Sequence, residues 1–427
     1  LLLVDEAAML PAPMLSALVA RWPRAALATT VHGYEGTGRG FDLRFRDHLA
    51  RDHPGWRELE LKEPIRWAPH DPLESVIHRI LCLDADPAPV SESGGRYECE
   101  KLDRDELLAN EPLLSQLMGL LVSAHYQTSP DDLRQILDDP ESAVWVARRG
   151  GSLIGAAWIL REGGLDRALA ESVSLGRRRP RGHLLAQSLA FQGANPEAAL
   201  LRYARVTRIA VHPKWRRRGL GLELLARIEA QARMEGVDVL GVSFGVTPGL
   251  LDFWEAAGFG LLRLGTRRDA ASGTHAAMLG KPLSPSGSRL YNEHRERFAR
   301  HWPWLECFFD NLEPGLKARL EAMLPRSRQL ASLNLDEADL RELQSFASGH
   351  RELMLTRLPL ARLHRLTASQ AGCWTEVDQR LWQRAVVDGV SWEQLHREGR
   401  CSSRREGLQR LRVLAGKRLA VVYNDGL

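Results

Sequence analysis

The sequence predicts an α/β protein whose last third is mainly helical. Three observations carry that reading. Short apolar runs alternate with amphipathic stretches through residues 1–283, the rhythm of strand and helix in turn. Glycines mark two tight places there: Gly150-Gly151 between apolar runs, and Gly219-Leu220-Gly221 where a strand pattern becomes a helix pattern. From about Ser284 onward Trp and Leu recur at helical spacings.

A chain of 427 residues has room for two or three domains, and 44% hydrophobic with 26% charged residues is a globular composition. No run approaches the roughly 20 apolar residues that cross a bilayer, and no signal peptide is present. The five cysteines (Cys82, Cys99, Cys307, Cys373, Cys401) are scattered without a CxxC pair. That argues against a disulfide framework or a structural metal and suits a cytoplasmic protein. Of the net charge of +4, residues 284–427 carry 23 Lys+Arg against 18 Asp+Glu, and the rest is close to neutral. A basic excess in one segment suits a polyanionic partner.

In order, "LLLVDEA" reads as a buried strand, "PAPMLSALVARW" as a helix opened by prolines, and "RAALATTV" as a second strand. "HGYEGTGRGF" is a glycine-rich loop, and "DPLESVIHRILCL" an amphipathic helix that closes a first unit over residues 1–85. Residues 86–95, in "DADPAPVSESGG", form a linker rich in Pro, Ser and Gly. A second unit spans 96–283. "TSPDDLRQIL" starts a helix, with Ser129 as cap and Asp131 and Asp132 at the positive dipole end. "AVWVARRGGSLIGAAWIL" is a hairpin turning at its two glycines. After a basic insertion come strand 206–211, helix 219–235, strand "VDVLGVSF", helix "GLLDFWEAAGF" and a closing strand near "HAAMLGK". Residues 284–427 form the helical unit. The chain opens inside an apolar run without Met, so the sequence predicts an N-terminally truncated piece.

Chemistry concentrates in "VTRIAVHPKWRRRGLGLELL". Gly219 and Gly221 allow close backbone approach to a ligand, and they stand where a helix begins with unpaired N–H groups. Beside Arg216, Arg217 and Arg218, such an end suits a pyrophosphate. "LLLVDEA" resembles a Walker B strand, in which Asp5 would hold nucleotide-bound Mg²⁺ and Glu6 would orient water. In "TTVHGYEGTGRGF", Thr29 and Thr30 end the next strand and Arg39 lies among glycines within reach of a phosphate. No GxxxxGK[ST] occurs in these residues.

The strand, RxxGxG loop and helix, followed by a second strand and helix, resemble the GCN5-related N-acetyltransferase fold. With "LLLVDEAAMLP", "TTVHGYEGTGRGF", "EPLLSQLMGLLVSAHYQTSPDDLR", "RRPRGHLLAQSLA", "RIAVHP", "GLGLELL" and "SFGVTP", residues 1 to about 280 resemble the tRNA(Met) cytidine acetyltransferases. That family joins a helicase-like ATPase module to an acetyltransferase module. The resemblance implies a remnant of a P-loop helicase-like ATPase, a GCN5-related α/β domain, and a helical, basic, tRNA-binding C-terminal domain. It implies transfer of acetyl from acetyl-CoA to N4 of the wobble cytidine of elongator tRNA(Met), with ATP hydrolysis. It places Ile209, Ala210 and Val211 on the strand that binds CoA, Arg216 through Leu222 (with Gly219, Leu220 and Gly221) on the pyrophosphate loop, and Arg39 on the nucleotide.

Two readings concern the acceptor side. Arg177, Arg178, Arg179 and Arg181, in "GRRRPRG", suit a grip on tRNA phosphates beside the acetyl donor. His212 and His183 are candidates for the proton acceptor by residue type. Two other functions remain open from the residues: an acetyltransferase acting on protein or small-molecule amines, and a non-catalytic RNA-binding protein.

Overall fold

The protein is described from a computed structural model, which covers residues 1–30, 45–46, 48–61, 63–69, 71–91, 95–124, 130–269, 273–325, 334–367 and 374–425. Arg39 and Ser129 lie outside the described residues.

In the first unit β1 (Leu2–Val4) pairs in parallel with β2 (Ala25–Leu27), and α1 (Ala12–Arg21) crosses between them. Ala7, Leu15, Val19 and Phe45 form its small core. α2 (Pro72–Leu81) starts at Asp71, whose carboxylate accepts from the Leu73 N–H at 2.8 Å. The residues after it, of which 86–95 read as a linker, are docked as far as Ser91. Cys82 and Ala85 are buried in the core of the second unit. Gly119 packs so close to Asp86 that a Cβ there would sit 2.3 Å from its carbonyl carbon. The Ser91 carbonyl accepts from Trp215 Nε1 and Arg149 Nη1, both at 3.2 Å.

Seven strands make the central sheet: β3 (Glu98–Leu102), β4 (Ser142–Arg149), β5 (Ser152–Gly163), β6 (Arg202–Val211), β7 (Val239–Gly245), β8 (Gly260–Arg268) and β9 (His275–Pro282). Their order is β3-β4-β5-β6-β7-β9-β8, antiparallel throughout except for β6 and β7. The β4–β5 hairpin turns on Gly150 and Gly151 at φ 54° and 83°, the double positive φ that a two-residue turn of matching twist requires.

The helices of this unit are α3 (Arg104–Ala109), α4 (Glu111–Ala124), α5 (Pro130–Asp138), α6 (Arg167–Ser174), α7 (Leu184–Gly193), α8 (Glu197–Leu200), α9 (Leu220–Met234) and α10 (Pro248–Ala256). α9 connects the parallel strands β6 and β7. Leu225 and Ile228 of α9 pack with Ala204 and Val206, whereas Leu117 and Leu121 of α4 pack with Ala156, Trp158 and Ala210. Helices thus cover both faces.

α11 (Pro285–Leu305) and α12 (Pro314–Ala322) carry Phe298, Trp302, Leu316 and Leu320 into the core beneath β7, β8 and β9. Residues 284–322 therefore share the sheet's core, because their aromatic face is buried there. A separate helical core forms from α13 (Glu337–Ala347), α14 (Leu353–Leu366), α15 (Glu376–Trp382), α16 (Trp392–Arg397) and α17 (Arg404–Asp425) around Phe346, Leu360, Trp382 and Leu411. Arg351 fastens this core to the sheet unit. Its guanidinium donates to the carbonyls of Phe191 and Gln192 at the C-terminal end of α7, where a cation meets the negative end of the dipole. Among the described residues no helix is long and apolar enough to cross a membrane.

His294 of α11 lies at this junction, buried against Gly193, and burial beside Arg297 pushes its imidazole down to about 4. An unfolded imidazole takes up its proton near pH 6.5 and the folded one only near 4, so unfolding binds protons between those values. Stability should fall as pH drops through that window, by up to about 3 kcal/mol from this group. Urea midpoints at pH 7.5 and pH 5 should therefore differ less in His294→Leu than in the parent. An equal difference would mean that His294 titrates normally when folded.

Candidate active site

The two edges of β6 are used unequally. Toward β5 it is paired from Arg202 to Val211. Toward β7 the pairing joins only Tyr203–Val206 to Val239–Val242, and beyond that the strands part. A bulge sits at the parting. The register passes from Ile159↔Val206 to Trp158↔Arg208, leaving Thr207 as an extra residue. The core records the same event. Ala204 and Val206 face α9 before the bulge, and Ile209 and Val211 face it afterwards, packed with Leu220 and Leu224. Strict alternation cannot put 204, 206, 209 and 211 on one face without one inserted residue. Bulges bend a strand, and here the result is a cleft between residues 207–211 of β6 and 243–245 of β7. Among the described residues no strand pairs with that edge of β6. The Thr207 hydroxyl is buried there without a hydrogen-bond partner among the described residues.

The loop after β6 closes one end of the cleft. A short turn, Pro213–Trp215, leads to Arg217 at φ 61° and Gly219 at φ 82°, and α9 begins with no side chain capping it. Its first helical bond runs from the Glu223 N–H to the Gly219 carbonyl at 3.0 Å. The N–H groups of Leu220, Gly221 and Leu222 therefore precede any helical acceptor, at the positive end of the dipole. Gly221 brings this end against α10: a Cβ there would lie 2.9 Å from the Phe253 ring and 3.7 Å from Val211.

The three arginines divide. Arg216 Nε donates to the Val211 carbonyl at 3.2 Å and holds the turn. Arg218 lies over the Trp215 ring at 5.0 Å, with Arg149 over the same ring at 5.2 Å. Arg217 is exposed on the left-handed residue beside the helix end.

Both histidines serve the backbone. His212 is 7% exposed, accepts from the Lys214 N–H through Nδ1 at 3.3 Å and has a backbone bond to Ala88. Burial, with Lys214 and Arg216 nearby, holds its imidazole below the ordinary range. His183 Nδ1 accepts from the Gly163 N–H at 2.9 Å.

Arg177, Arg178, Arg179 and Arg181 are exposed on the loop between α6 and α7, bounded by Gly176 and Gly182 at φ 77° and 82°. Because His183 is bonded to Gly163, which pairs with Arg202, the loop is anchored at the start of β6. The pyrophosphate-type loop lies at its end, about 30 Å of extended strand away. Proximity in sequence to β6 therefore sets the arginines at the far end of the cleft strand, next to the C-terminal unit: a Cβ on Gly176 would lie 3.3 Å from the His350 carbonyl. In the first unit Asp5 and Glu6 follow β1 and Thr29 and Thr30 follow β2, so all four gather at the carboxyl ends of two paired parallel strands.

Three family models tile the chain: "RNA cytidine acetyltransferase NAT10/TcmA, helicase domain" over residues 1–84, "GNAT acetyltransferase 2" over 116–233 and 222–284, and "tRNA-binding domain" over 287–425. A tRNA(Met) cytidine acetyltransferase TmcA of Nitrosococcus halophilus is 43% identical over 420 residues, 96% of this chain and 56% of that protein. Those of Yersinia pestis and Salmonella typhimurium are each 41% identical, over 85% and 86% of this chain and 51% of each relative. The chain belongs to the tRNA(Met) cytidine acetyltransferase family. It spans about half the length of the curated relatives it matches.

Within this tRNA(Met) cytidine acetyltransferase family member, sequence reasoning finds the loop and the strand but misses Thr207, Phe253 and the Arg149–Trp215–Arg218 stack. A threonine inside "VTRIAV" carries no mark of a bulge, and Phe253 and Arg149 lie far in sequence from Gly221 and Trp215.

Proposed function

We propose that this chain is the acetyl-transferring and tRNA-holding portion of an enzyme that acetylates N4 of the wobble cytidine of elongator tRNA(Met), driven by its helicase-like ATPase module. One observation carries the reading. A single strand, β6, has an open cleft edge along its second half, a helix N-terminus at its end, and a basic loop bordering the tRNA-binding unit at its start.

The cleft fits acetyl-CoA. The edge at Ile209, Ala210 and Val211 that no described strand covers would hold the pantetheine arm, and the N–H groups of Leu220, Gly221 and Leu222, with Arg217, the pyrophosphate. Bound there, acetyl-CoA supplies an activated thioester carbonyl. The chain's own task is orientation. The cytosine N4 lone pair is conjugated into its ring and attacks well only when held in line. His212 and His183 are committed to backbone atoms, so the N4 proton passes to another group. In the first unit Asp5 would hold nucleotide-bound Mg²⁺, Glu6 would orient water, and Arg39 would contact the nucleotide.

Incubation with labelled acetyl-CoA should label tRNA and leave a protein mixture unlabelled. The Arg177, Arg178, Arg179 and Arg181 quadruple alanine variant should bind tRNA more weakly, with a salt slope flatter by about 0.7–0.9 per lost phosphate contact, and should keep its CoA affinity. An unchanged slope would move the RNA path off this loop. Labelling of protein in place of tRNA would favour the amine acetyltransferase.

A further inference from the structure

α7, α11, β8 and the segment Arg351–Leu355 line a half-open cavity of about 50 Å³. A single water needs about 10–15 Å³ by this measure, so the space admits a group of several heavy atoms. Its described lining includes five ionisable side chains, and all five are bases: Arg263, Arg297, Arg351, His294 and His301. No carboxylate is among them.

The carboxylates that serve these arginines stand behind them. Glu342 pairs with Arg297 and, at 2.6 Å, with Arg351. Asp339 pairs with Arg362 at 2.6 Å and stands 3.7 Å from Arg297. Three buried guanidinium groups thus share two buried carboxylates. Further out, Asp336 holds Arg300 at 2.6 Å, and Glu352 lies near Arg263. Five arginines face four carboxylates, which leaves one positive charge uncompensated in a desolvated place.

Polar atoms at the cavity are also unsatisfied. Nε2 of His294, Nε2 of His301, Nη1 of Arg297 and Nε of Arg351 are buried with no hydrogen-bond partner among the described residues, and behind them so are two acceptors, Glu342 Oε2 and Asp339 Oδ1, which are not in the lining. The four lining residues are 7%, 7%, 8% and 1% exposed. Unpartnered guanidinium and imidazole nitrogens, surplus positive charge and a lining free of carboxylates suit a bound anion.

We propose that this cavity binds one small inorganic oxyanion, of which phosphate is the test ligand, held by Arg297, Arg351 and the Nε2 atoms of His294 and His301. The site lies between the acetyltransferase sheet and the C-terminal helical core, away from the β6–β7 cleft, and does not depend on the function proposed above.

The test is phosphate titration of the chain by calorimetry and thermal unfolding at constant ionic strength, with chloride as the comparison. Phosphate should bind at one saturable site and raise the melting temperature beyond the chloride effect. His301→Leu and His294→Leu should each weaken it by about tenfold or more, and His301→Gln, which keeps a donor, by less. Phosphate acting no differently from chloride on the parent protein would show a cavity filled by water and overturn the proposal. Equal affinity in the parent and both leucine variants would place the phosphate on surface arginines or at the α9 N-terminus, and would overturn it too.

Discussion

Gly221→Val should weaken acetyl-CoA binding by about 30- to 150-fold, equivalent to 2–3 kcal/mol of overpacking. The first atom added already lies 2.9 Å from the Phe253 ring, and the γ carbons crowd Val211 on the other side. Either α10 or the start of α9 must shift, and both border the cleft. Gly219→Ala separates the two roles of the glycines. Nothing stands within 4 Å of its Cβ position, but its φ of 82° costs an alanine about 1–2 kcal/mol. Calorimetry would decide: undiminished CoA affinity in Gly221→Val removes the α9 N-terminus from the binding path.

Arg351→Leu should be the most damaging single change to stability. Glu342 is fully buried and depends on Arg351 and Arg297, and the carbonyls closing α7 lose a charged donor as well. Removing one partner of a buried charge costs about 3–5 kcal/mol, enough to lower the melting temperature by roughly 10 °C. Arg351→Lys should recover little of it, since an ammonium group cannot reach Glu342 and two carbonyls in one plane. A leucine variant melting within about 1 kcal/mol of the parent would show that the helical core is fastened elsewhere.

The elements legible in the sequence are those written by local chemistry. Gly150-Gly151 fixes its hairpin through backbone conformation alone, and the apolar run, glycine loop and amphipathic stretch of 202–234 announce strand, turn and helix. The acetyltransferase fold and the family follow from those pieces. What was not legible depends on distant partners. β8, "GLLRLGTRR", carries Arg263, which is half-buried and lines the same cavity as Arg351 and Leu355, far away in sequence. The arginines at 216–218 read as one basic patch, yet Trp215 and Val211 claim two of them. His212 and His183 read as titratable candidates, and their roles are set by Lys214, Ala88 and Gly163. Arg351 looks like a surface residue and is 1% exposed, because α7 ends where its guanidinium arrives.

The docked segment after α2 has a mechanical consequence. A slack segment between α2 and the sheet unit would let α2 move without the sheet. This chain has none over residues 82–91: it is seated at Cys82 and Ala85, wedged at Asp86 against Gly119, bonded from Ala88 to His212, and hung by Ser91 from the tryptophan of the loop after β6. It behaves as a splint. Lengthening it by a residue would not loosen the connection but shift its anchor points out of step, and the strain would be felt first at Trp215.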